Sequence, residues 1–481
     1  MSLGKKMLNG AIWSGMERII GQTIQFVIGI VLARILSPEE YGTISLILIF
    51  IVLSQVFVDS GFTKALIQKK DRNPDDVSTV FFFNLMIAVA CYGLLYLAAP
   101  FVAGFFEIEI LRDLLRVMAL SLILDSFFTV PSTLFAIELN FKTPAMVYLT
   151  SVTIAGSIAI ALAYDGFGVW ALVWQTLIRS CCMVIGIWFF IKWKPKLVFS
   201  MRSLKHMFSY GSKLLVTSLL GVFFSKFNEF LIGKYINARE LGLFTRGVQF
   251  TGFVSGTFNS MINRVFLPSL APYQDDLKLL TMQTKKVIKL SVLVSTPIFI
   301  LLFATAESLV TVLLTEKWIR VVPIMQLFCF SRLITVVSNI NVNLLYVLGK
   351  TNLVLRQEYL KISIRVVLIL SALKYGIVFI AIAELVTTVF HFFINSYYPG
   401  KLMQFGSIKQ LKAIAKTLFA GVVMLAVVLP IGMYVQNDYM QLGVTVVAGL
   451  ATYYLLLRLL KVKELDILKA RVSEVMIKYK R

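Results

Sequence analysis

Charged and amide side chains lie inside apolar stretches of this sequence. Placing one charge at the centre of a bilayer costs about 2.5–3.5 kcal/mol on insertion scales, so such residues usually face a protein interior or a wet cavity. The cationic and amide side chains concerned are Arg18, Gln22, Gln25, Lys226, Arg246, Gln249, Arg264 and Arg332. Arginine binds phosphate through paired donors, so this set predicts a cationic cavity for an anionic headgroup.

The first apolar stretch shows this pattern as one polar stripe. Its members recur at helical spacing and are Ser14, Arg18, Gln22, Gln25 and Gly29. Polar residues also recur 204 positions later in the chain. The simpler alternative is a set of hydrogen bonds or ion pairs between helices, or snorkelling side chains. For a single residue that alternative is sufficient, whereas two matching stripes favour a cavity.

Acidic residues inside apolar stretches point to ion coupling. A protonatable group in a low-dielectric site links the binding of a proton to the binding of substrate. The four candidates for this role are Glu17, Asp125, Glu229 and Glu384. Of these, Asp125 and Glu384 stand isolated in the sequence, whereas Lys226 can pair with Glu229.

Motifs for other chemistry are missing from the sequence. It has no phosphate loop, and its two histidines belong to no HExxH motif or Cys/His cluster. We therefore expect no metal site, no cofactor and no nucleotide-driven motor. The sequence favours a secondary transporter that is not an enzyme.

The elements that must position these residues are membrane-spanning helices. The 481 residues are 58% hydrophobic and only 15% charged. Apolar stretches of about 20 residues recur about fourteen times, which predicts an all-α polytopic membrane protein. The predicted spans lie near residues 12–36, 41–58, 77–103, 114–137, 144–163, 167–191, 204–236, 241–270, 287–305, 321–348, 353–373, 377–398, 411–435 and 439–460.

An internal repeat divides the chain. Glu40-Tyr41-Gly42 recurs as Glu240-Leu241-Gly242, and the aspartate pair at 75–76 recurs at 275–276, both 200 residues later. The repeat predicts a first six-helix lobe over 1–200, a second over 201–400, two additional helices over 401–460 and a basic tail over 461–481. Two such lobes facing each other across a cavity are typical of transporters. We expect the aspartate pairs to cap helix starts.

The distribution of basic residues predicts the orientation in the membrane. Lysine and arginine collect in the N-terminus, in alternate connections and in the C-terminal tail, while the opposite connections carry few. By the positive-inside rule, both termini face the cytoplasm. This asymmetry accounts for the net charge of +22 without a nucleic-acid partner. The basic loops also suit anionic membrane lipids.

Several short motifs resemble Wzx-type polysaccharide flippases of the multidrug/oligosaccharidyl-lipid/polysaccharide (MOP) exporter superfamily, in the branch of colanic and teichuronic acid exporters. The opening motifs are LARILSPEEYG over 32–42, DSGF over 59–62 and LIQ over 66–68. LGLFTR over 241–246 and NRVFLP over 263–268 resemble that branch's second-repeat motifs. The similarity extends over essentially the whole chain.

The resemblance implies a MATE-like V of two six-helix lobes with two extra C-terminal helices, in the bacterial inner membrane. It implies alternating-access transport of undecaprenyl-pyrophosphate-linked oligosaccharides for O-antigen, capsule or exopolysaccharide. It also implies that Arg18 and Arg246 contact the headgroup, a role that we extend by inference to Lys226, Arg332 and Arg264. Polymerase and chain-length regulator proteins are the partners it implies. Because the sequence has no ATPase motif, the drive is expected to be an ion gradient, with a proton or sodium ion as a possible coupling cation, or consumption of substrate on the far side.

Two alternatives stay open from the sequence. A cation-coupled multidrug exporter of the same fold should hold an acidic cavity, whereas cations predominate here. A membrane polysaccharide polymerase or ligase needs a sizeable outer domain, whereas the predicted outer connections are short.

Overall fold

The computed structural model describes residues 3–59, 61–69 and 71–470, and all regular structure in them is helical. The helices of the first half are α1 (Leu3–Ile35), α2 (Pro38–Asp59), α3 (Phe62–Gln68), α4 (Pro74–Phe106), α5 (Leu111–Met118), α6 (Leu120–Ile137), α7 (Lys142–Tyr164), α8 (Trp170–Phe190) and α9 (Met201–Tyr235). Those of the second half are α10 (Ala238–Leu270), α11 (Leu277–Ala304), α12 (Ala306–Leu313), α13 (Val322–Val347), α14 (Thr351–Ala372), α15 (Ile377–Met403), α16 (Ser407–Val428), α17 (Ile431–Tyr434) and α18 (Asp438–Leu459).

The prediction of an all-α polytopic membrane protein is confirmed. Among the described residues, 12 helical segments are long and apolar enough to cross a membrane. The long helices α10 and α14 fall outside that set, and α14 carries four charged residues within its 22. With these two helices the number of long segments is close to the predicted fourteen.

Three local features depart from the predicted spans. The fourth span is two helices, α5 and α6, which meet at Ala119. The tenth span is preceded by α12 and by a 3-10 helix over Glu316–Val321, and the short helix α3 follows the second span. Each extra piece is eight residues or fewer, too short to leave a hydropathy signal of membrane-spanning length.

The chain forms two compact units, Met1–Gly242 and Leu243–Arg481. In the first unit, α6 packs against α4 and α8, and α7 packs against α8 and α1. In the second unit, α13 packs against α11 and α15, and α14 packs against α15. The same packing order therefore recurs in both sets of helices. Helix α9 packs against α2 and α4 of the first unit, and the predicted lobe boundary at residue 200 stays a prediction.

The starts of α4 and α11 confirm the capping role of the aspartate pairs. At α4, the side chain of Asn73 accepts from the backbone N–H of Asp76, whose carboxylate accepts from the backbone N–H of Asn73. This reciprocal pair satisfies two backbone donors that the helix leaves free. At α11, Asp276 itself accepts from the backbone N–H groups of Lys278 and Leu279.

The linker between α8 and α9 is anchored to the start of α4. Its backbone N–H groups at Lys196 and Ser200 donate to the hydroxyls of Ser78 and Thr79, at 3.1 and 3.0 Å. The ring of Trp193 in this linker joins an aromatic cluster around Phe81, with ring centroids 5.8 Å apart. These contacts fix the linker on the first unit.

The first turns of α2 and α10 cross at a repeated glycine. A Cβ atom at Gly42 would overlap the carbonyl oxygen of Ala238, and one at Gly242 would overlap that of Pro38. Pro38 and Ala238 are 200 residues apart, as are the two glycines, so the contact is reciprocal under the repeat. All four residues belong to the first unit. The close approach explains why the Glu-x-Gly motif occurs twice.

The C-terminal helices are integral to the second unit. Helices α16 and α18 both pack against α11. Asn341 on α13 and Gln410 on α16 exchange two amide hydrogen bonds, at 2.9 and 2.7 Å. The Tyr453 hydroxyl of α18 donates to the carbonyl of Leu293 on α11 at 2.9 Å. Buried polar groups satisfied in this way fix helix register where no water is available.

Candidate functional site

The predicted polar stripe on α1 lies on a face that the first unit leaves open. Arg18 and Gln25 are exposed, while Glu17 and Gln22 are half-buried. Within the span over Ile12–Ile35, only 22% of an apolar 18-residue window is buried, and α1 packs mainly against α7. The Gln25 side chain donates to the Tyr148 hydroxyl of α7 at 2.9 Å. The stripe therefore continues into the first unit through Tyr148.

Beyond Tyr148 lies a charged group that the sequence interpretation missed. Arg179, near the middle of α8, interacts electrostatically with Tyr148 and with Asp125 of α6. All three side chains are partly exposed, and the buried Nε of Arg179 has no hydrogen-bond partner among the described residues. The sequence feature that could have revealed this group is Arg179 itself, an arginine at the tenth position of an apolar span and outside the polar stripes.

The cation on α9 is neutralised within its own helix. Lys226 and Glu229 form a salt bridge in which the ammonium contacts both carboxylate oxygens at 2.8 Å. Both side chains are largely buried, with 26% and 18% exposure. The ion pair proposed as the simpler alternative is therefore present at this position. Lys226 adds less free positive charge than the sequence suggested.

In the second unit, the predicted residues on α10 are only partly described. Arg246 is buried, donates to the Gln249 side chain at 2.7 Å and lies 6.0 Å from the Trp318 ring centroid. Gln249 itself is exposed. The side chain of Arg264 lies outside the described residues. Arg246 is thus held in a fixed orientation beside an exposed amide.

Helices α13, α14 and α15 of the second unit share a charged cluster. Arg365 on α14 donates to the Glu384 carboxylate of α15 through two guanidinium nitrogens, at 2.9 and 2.7 Å. The sequence suggested that Glu384 is isolated, but the structure shows that it is paired. Its partner Arg365 lies 19 residues away on the preceding helix. Arg332 on α13 lies within electrostatic reach of both and stacks over Phe328, 5.4 Å from the ring centroid.

One turn from this pair, α14 carries a second ion pair. Lys361 is buried and contacts Glu358 at 2.5 Å. The ring Nε2 of His391 on α15 lies 3.3 Å from the Lys361 carbonyl oxygen. With the neighbouring cluster, these groups give the second unit a continuous polar strip between α14 and α15.

The fold of this chain resembles those of two solved membrane proteins. Over 93% of this chain, the fold matches 98% of the lipid II flippase MurJ in its inward closed conformation, with a TM-score of 0.74 and 15% identity. It also matches all of an inward-facing multidrug resistance MATE family transporter of the MOP superfamily over 83% of this chain, with a TM-score of 0.57 and 15% identity. These likenesses establish the fold.

The sequence assigns the family. A family model described as a polysaccharide biosynthesis protein matches residues 31–323, so the chain belongs to that family. The teichuronic acid biosynthesis protein TuaB of Bacillus subtilis is 25% identical over 95% of this chain and 96% of its own length. The lipopolysaccharide biosynthesis protein WzxC of Escherichia coli is 22% identical over 70% of this chain and 69% of its own.

Family and fold together confirm the expected resemblance to the MOP exporters. The succinoglycan biosynthesis transport protein ExoT of Rhizobium meliloti, 24% identical over 66% of this chain and 65% of its own length, belongs to the same set of relatives. The chain is therefore a polytopic membrane protein of the polysaccharide biosynthesis family, and its fold is that seen in MurJ and in a MATE transporter.

Proposed function

We propose that this protein is a flippase that moves undecaprenyl-pyrophosphate-linked oligosaccharide repeat units across the bacterial inner membrane by alternating access. The observation that carries the proposal is the presence, within membrane spans, of two arginines that form no salt bridge with another described residue. Arg18 is exposed on α1, and Arg332 has no salt bridge among the described residues. A cationic site suits the pyrophosphate, whose oxygens accept paired hydrogen bonds from guanidinium groups.

The substrate class follows from the relatives. TuaB and WzxC are named for teichuronic acid and lipopolysaccharide biosynthesis, and MurJ for lipid II. We extend to this chain the common feature of a glycan destined for the cell surface. Polymerase and chain-length regulator proteins are its expected partners. Both termini lie in the cytoplasm, as the basic connections predict.

The energy source is the gradient of a coupling cation, a proton or sodium ion, acting on an intramembrane acid. Glu229 and Glu384 are each held in an ion pair, so either must lose its partner before it can bind a cation. Glu17 and Asp125 form no salt bridge among the described residues. They can titrate without breaking one, which makes them the simpler candidates.

The test is transbilayer movement of a labelled undecaprenyl-pyrophosphate oligosaccharide in proteoliposomes. We expect an Arg18→Ala/Arg246→Ala variant to lose at least tenfold in rate, because two headgroup contacts are removed. An Arg112→Ala/Arg458→Ala variant removes the same charge from the ends of α5 and α18 and should move substrate like wild type. Normal movement by the first variant would reject the headgroup assignment.

A multidrug exporter remains the second candidate function, because the MATE likeness covers 83% of the chain. That function requires uptake of organic cations driven by a sodium or proton gradient. Proteoliposomes that accumulate a quaternary ammonium dye but do not move the lipid-linked glycan would favour it.

A further inference from the structure

We propose that Asp125, Tyr148 and Arg179 form a glycan-binding site inside the first unit, which contacts sugar hydroxyls and is distinct from the headgroup arginines. The inference deepens the proposed function, on which its biological meaning rests. It assigns Asp125 to the substrate instead of to the coupling ion.

Arg179 and Asp125 both lie at mid-membrane depth. Arg179 is the tenth residue of the 21 in α8, and Asp125 lies near the middle of the span over Leu111–Ile137. Both are partly exposed in the structure. A guanidinium and a carboxylate at mid-membrane depth do not face hydrocarbon, because each would cost several kcal/mol there (about 2.5–3.5 on insertion scales). Their exposed atoms therefore face a space that holds water or polar substrate.

Arg179 has hydrogen-bond donors that are available to a ligand. Arg179 and Asp125 interact electrostatically, yet no salt bridge joins them among the described residues, and the Ser180 hydroxyl lies beside the Asp125 carboxylate. The Nε of Arg179 is buried without a hydrogen-bond partner in that same part of the chain. An unsatisfied buried donor costs about 1–3 kcal/mol. This Nε is shielded from a ligand, so a ligand would accept hydrogen bonds from the rest of the partly exposed Arg179 side chain.

The chemistry of the set identifies the ligand class. Arg179 only donates hydrogen bonds and the Asp125 carboxylate only accepts them, while each sugar hydroxyl can do both. Neighbouring hydroxyls on one ring can therefore bridge the two side chains with charge-assisted hydrogen bonds. The Tyr148 ring adds an apolar face of the kind that packs against a sugar's C–H groups. The neutral pair of Arg179 and Asp125 favours hydroxyls over a free anion.

The connection to α1 places this site next to the substrate path. Tyr148 receives a hydrogen bond from Gln25, which lies two turns from Arg18 on the same helix. A pyrophosphate bound at Arg18 would leave the attached sugars within reach of Tyr148 and Arg179. The headgroup and the glycan are thus bound by different residues, so each binding site can be tested separately.

The experiment measures ligand-induced shifts of the unfolding midpoint in the detergent-purified full chain. Farnesyl pyrophosphate probes the headgroup site, while maltotetraose and tetragalacturonate probe the glycan site with neutral and acidic sugars. A ligand that binds only the folded state raises the midpoint in proportion to its occupancy. We expect both kinds of probe to stabilise wild type.

The variants separate the two sites. Arg179→Gln should weaken maltotetraose binding at least tenfold and leave the farnesyl pyrophosphate shift unchanged. Arg18→Ala should weaken farnesyl pyrophosphate binding and leave the maltotetraose shift unchanged. Asp125→Asn should weaken maltotetraose and strengthen tetragalacturonate, because the repelling carboxylate is gone. Arg116→Gln, which removes an arginine stacked on Tyr96 outside the site, is the matched control and should bind both probes normally.

The outcomes distinguish this inference from the proposed function. A maltotetraose shift that survives Arg179→Gln, or its absence from wild type, overturns the glycan site while leaving the flippase proposal intact. A sugar shift that depends on Arg179 without any farnesyl pyrophosphate shift supports the glycan site and removes the headgroup proposal. If Arg179→Gln fails to fold, Arg179→Lys keeps the charge but not the planar fork, and should show the same selective loss.

Discussion

The two units treat an intramembrane charge pair in opposite ways. In the second unit, Arg365 and Glu384 are joined by two hydrogen bonds, at 2.7 and 2.9 Å. In the first unit, Arg179 and Asp125 interact electrostatically, but no salt bridge joins them among the described residues. The two pairs also join different helices, since Arg179 on α8 faces Asp125 on α6, whereas Glu384 on α15, the counterpart of α8 in packing order, pairs with Arg365 on α14, the counterpart of α7.

This difference separates a pair that stabilises the helices from a pair that can serve a ligand. A closed pair satisfies its own charges, and its contribution is to hold α14 against α15. In the open pair the two charges are not joined by a salt bridge among the described residues, and under the inference above a substrate contacts both side chains. The repeat in the sequence therefore preserves helix packing without preserving the role of each charged position.

The largest expected effect comes from breaking the closed pair. Glu384→Ala leaves the half-buried Arg365 unpaired beside Arg332, and we expect a loss of about 3 kcal/mol in the free energy of unfolding, at the lower end of the range for buried pairs. Unfolding by sodium dodecyl sulfate in mixed micelles measures this loss. The double variant Arg365→Ala/Glu384→Ala should recover at least half of it, since no charge is then left alone. Equal losses in the single and double variants would mean that the pair contributes packing only.

The glycine crossing tests a place where the two repeats are alike. Gly42→Ala and Gly242→Ala each force a Cβ against a backbone carbonyl, and overpacking of this kind costs about 1–3 kcal/mol. Because the contacts are reciprocal, the two losses should be similar. Gly93→Ala, where a Cβ meets no atom within 4 Å, is the matched control and should be neutral or slightly stabilising. A large difference between Gly42→Ala and Gly242→Ala would show that the repeats diverge here as well.

Substitution in the open pair should affect stability little. Asp125→Asn removes a carboxylate that forms no salt bridge, so we expect a change in unfolding free energy of about 1 kcal/mol or less. The same measurement on Glu384→Gln provides the direct comparison, with a larger loss expected. If Asp125→Asn proved as destabilising as Glu384→Gln, the first unit's pair would be structural and the contrast between the units would disappear.

Much of the fold was predictable from the sequence because hydropathy records which segments cross the membrane. The apolar spans and the helix caps at Asp76 and Asp276 follow from local patterns. The break at Ala119 did not, because both sides of it are apolar and carry no breaker residue. Local patterns thus predict elements better than their interruptions.

The candidate site was predictable only in part. Arg18 and Gln25 of the predicted α1 stripe are exposed, but Gln22 is half-buried and the neighbouring Ile19 is exposed as well, so the role of the stripe stays a prediction. Glu384 was judged isolated because its partner Arg365 lies on another helix, and pairing between helices depends on rotation that a sequence does not specify. Arg179 was overlooked for the related reason that it stands alone on its own helix, and only packing brings it beside Asp125.

The smallest expected effect concerns an ion pair at the end of the second unit. Lys289 on α11 contacts Glu464, which follows α18, at 2.9 Å. Although burial opposes ionisation, hydrogen bonds from Lys289 and a backbone N–H hold the pKa of Glu464 below its usual range. The pair therefore stabilises the protein above the unfolded-state pKa of about 4.3, and this stability is lost as the pH falls through the lower folded-state value.

A Glu464→Gln variant measures this contribution. At pH 7 it should lose about 0.5 kcal/mol of unfolding free energy relative to wild type, since the lysine is partly exposed. The difference between variant and wild type should shrink steadily below pH 4 as the native carboxylate protonates. A difference that is constant with pH would show that Glu464 stabilises the C-terminal segment by packing, in contrast to Glu384, whose charge holds α14 against α15.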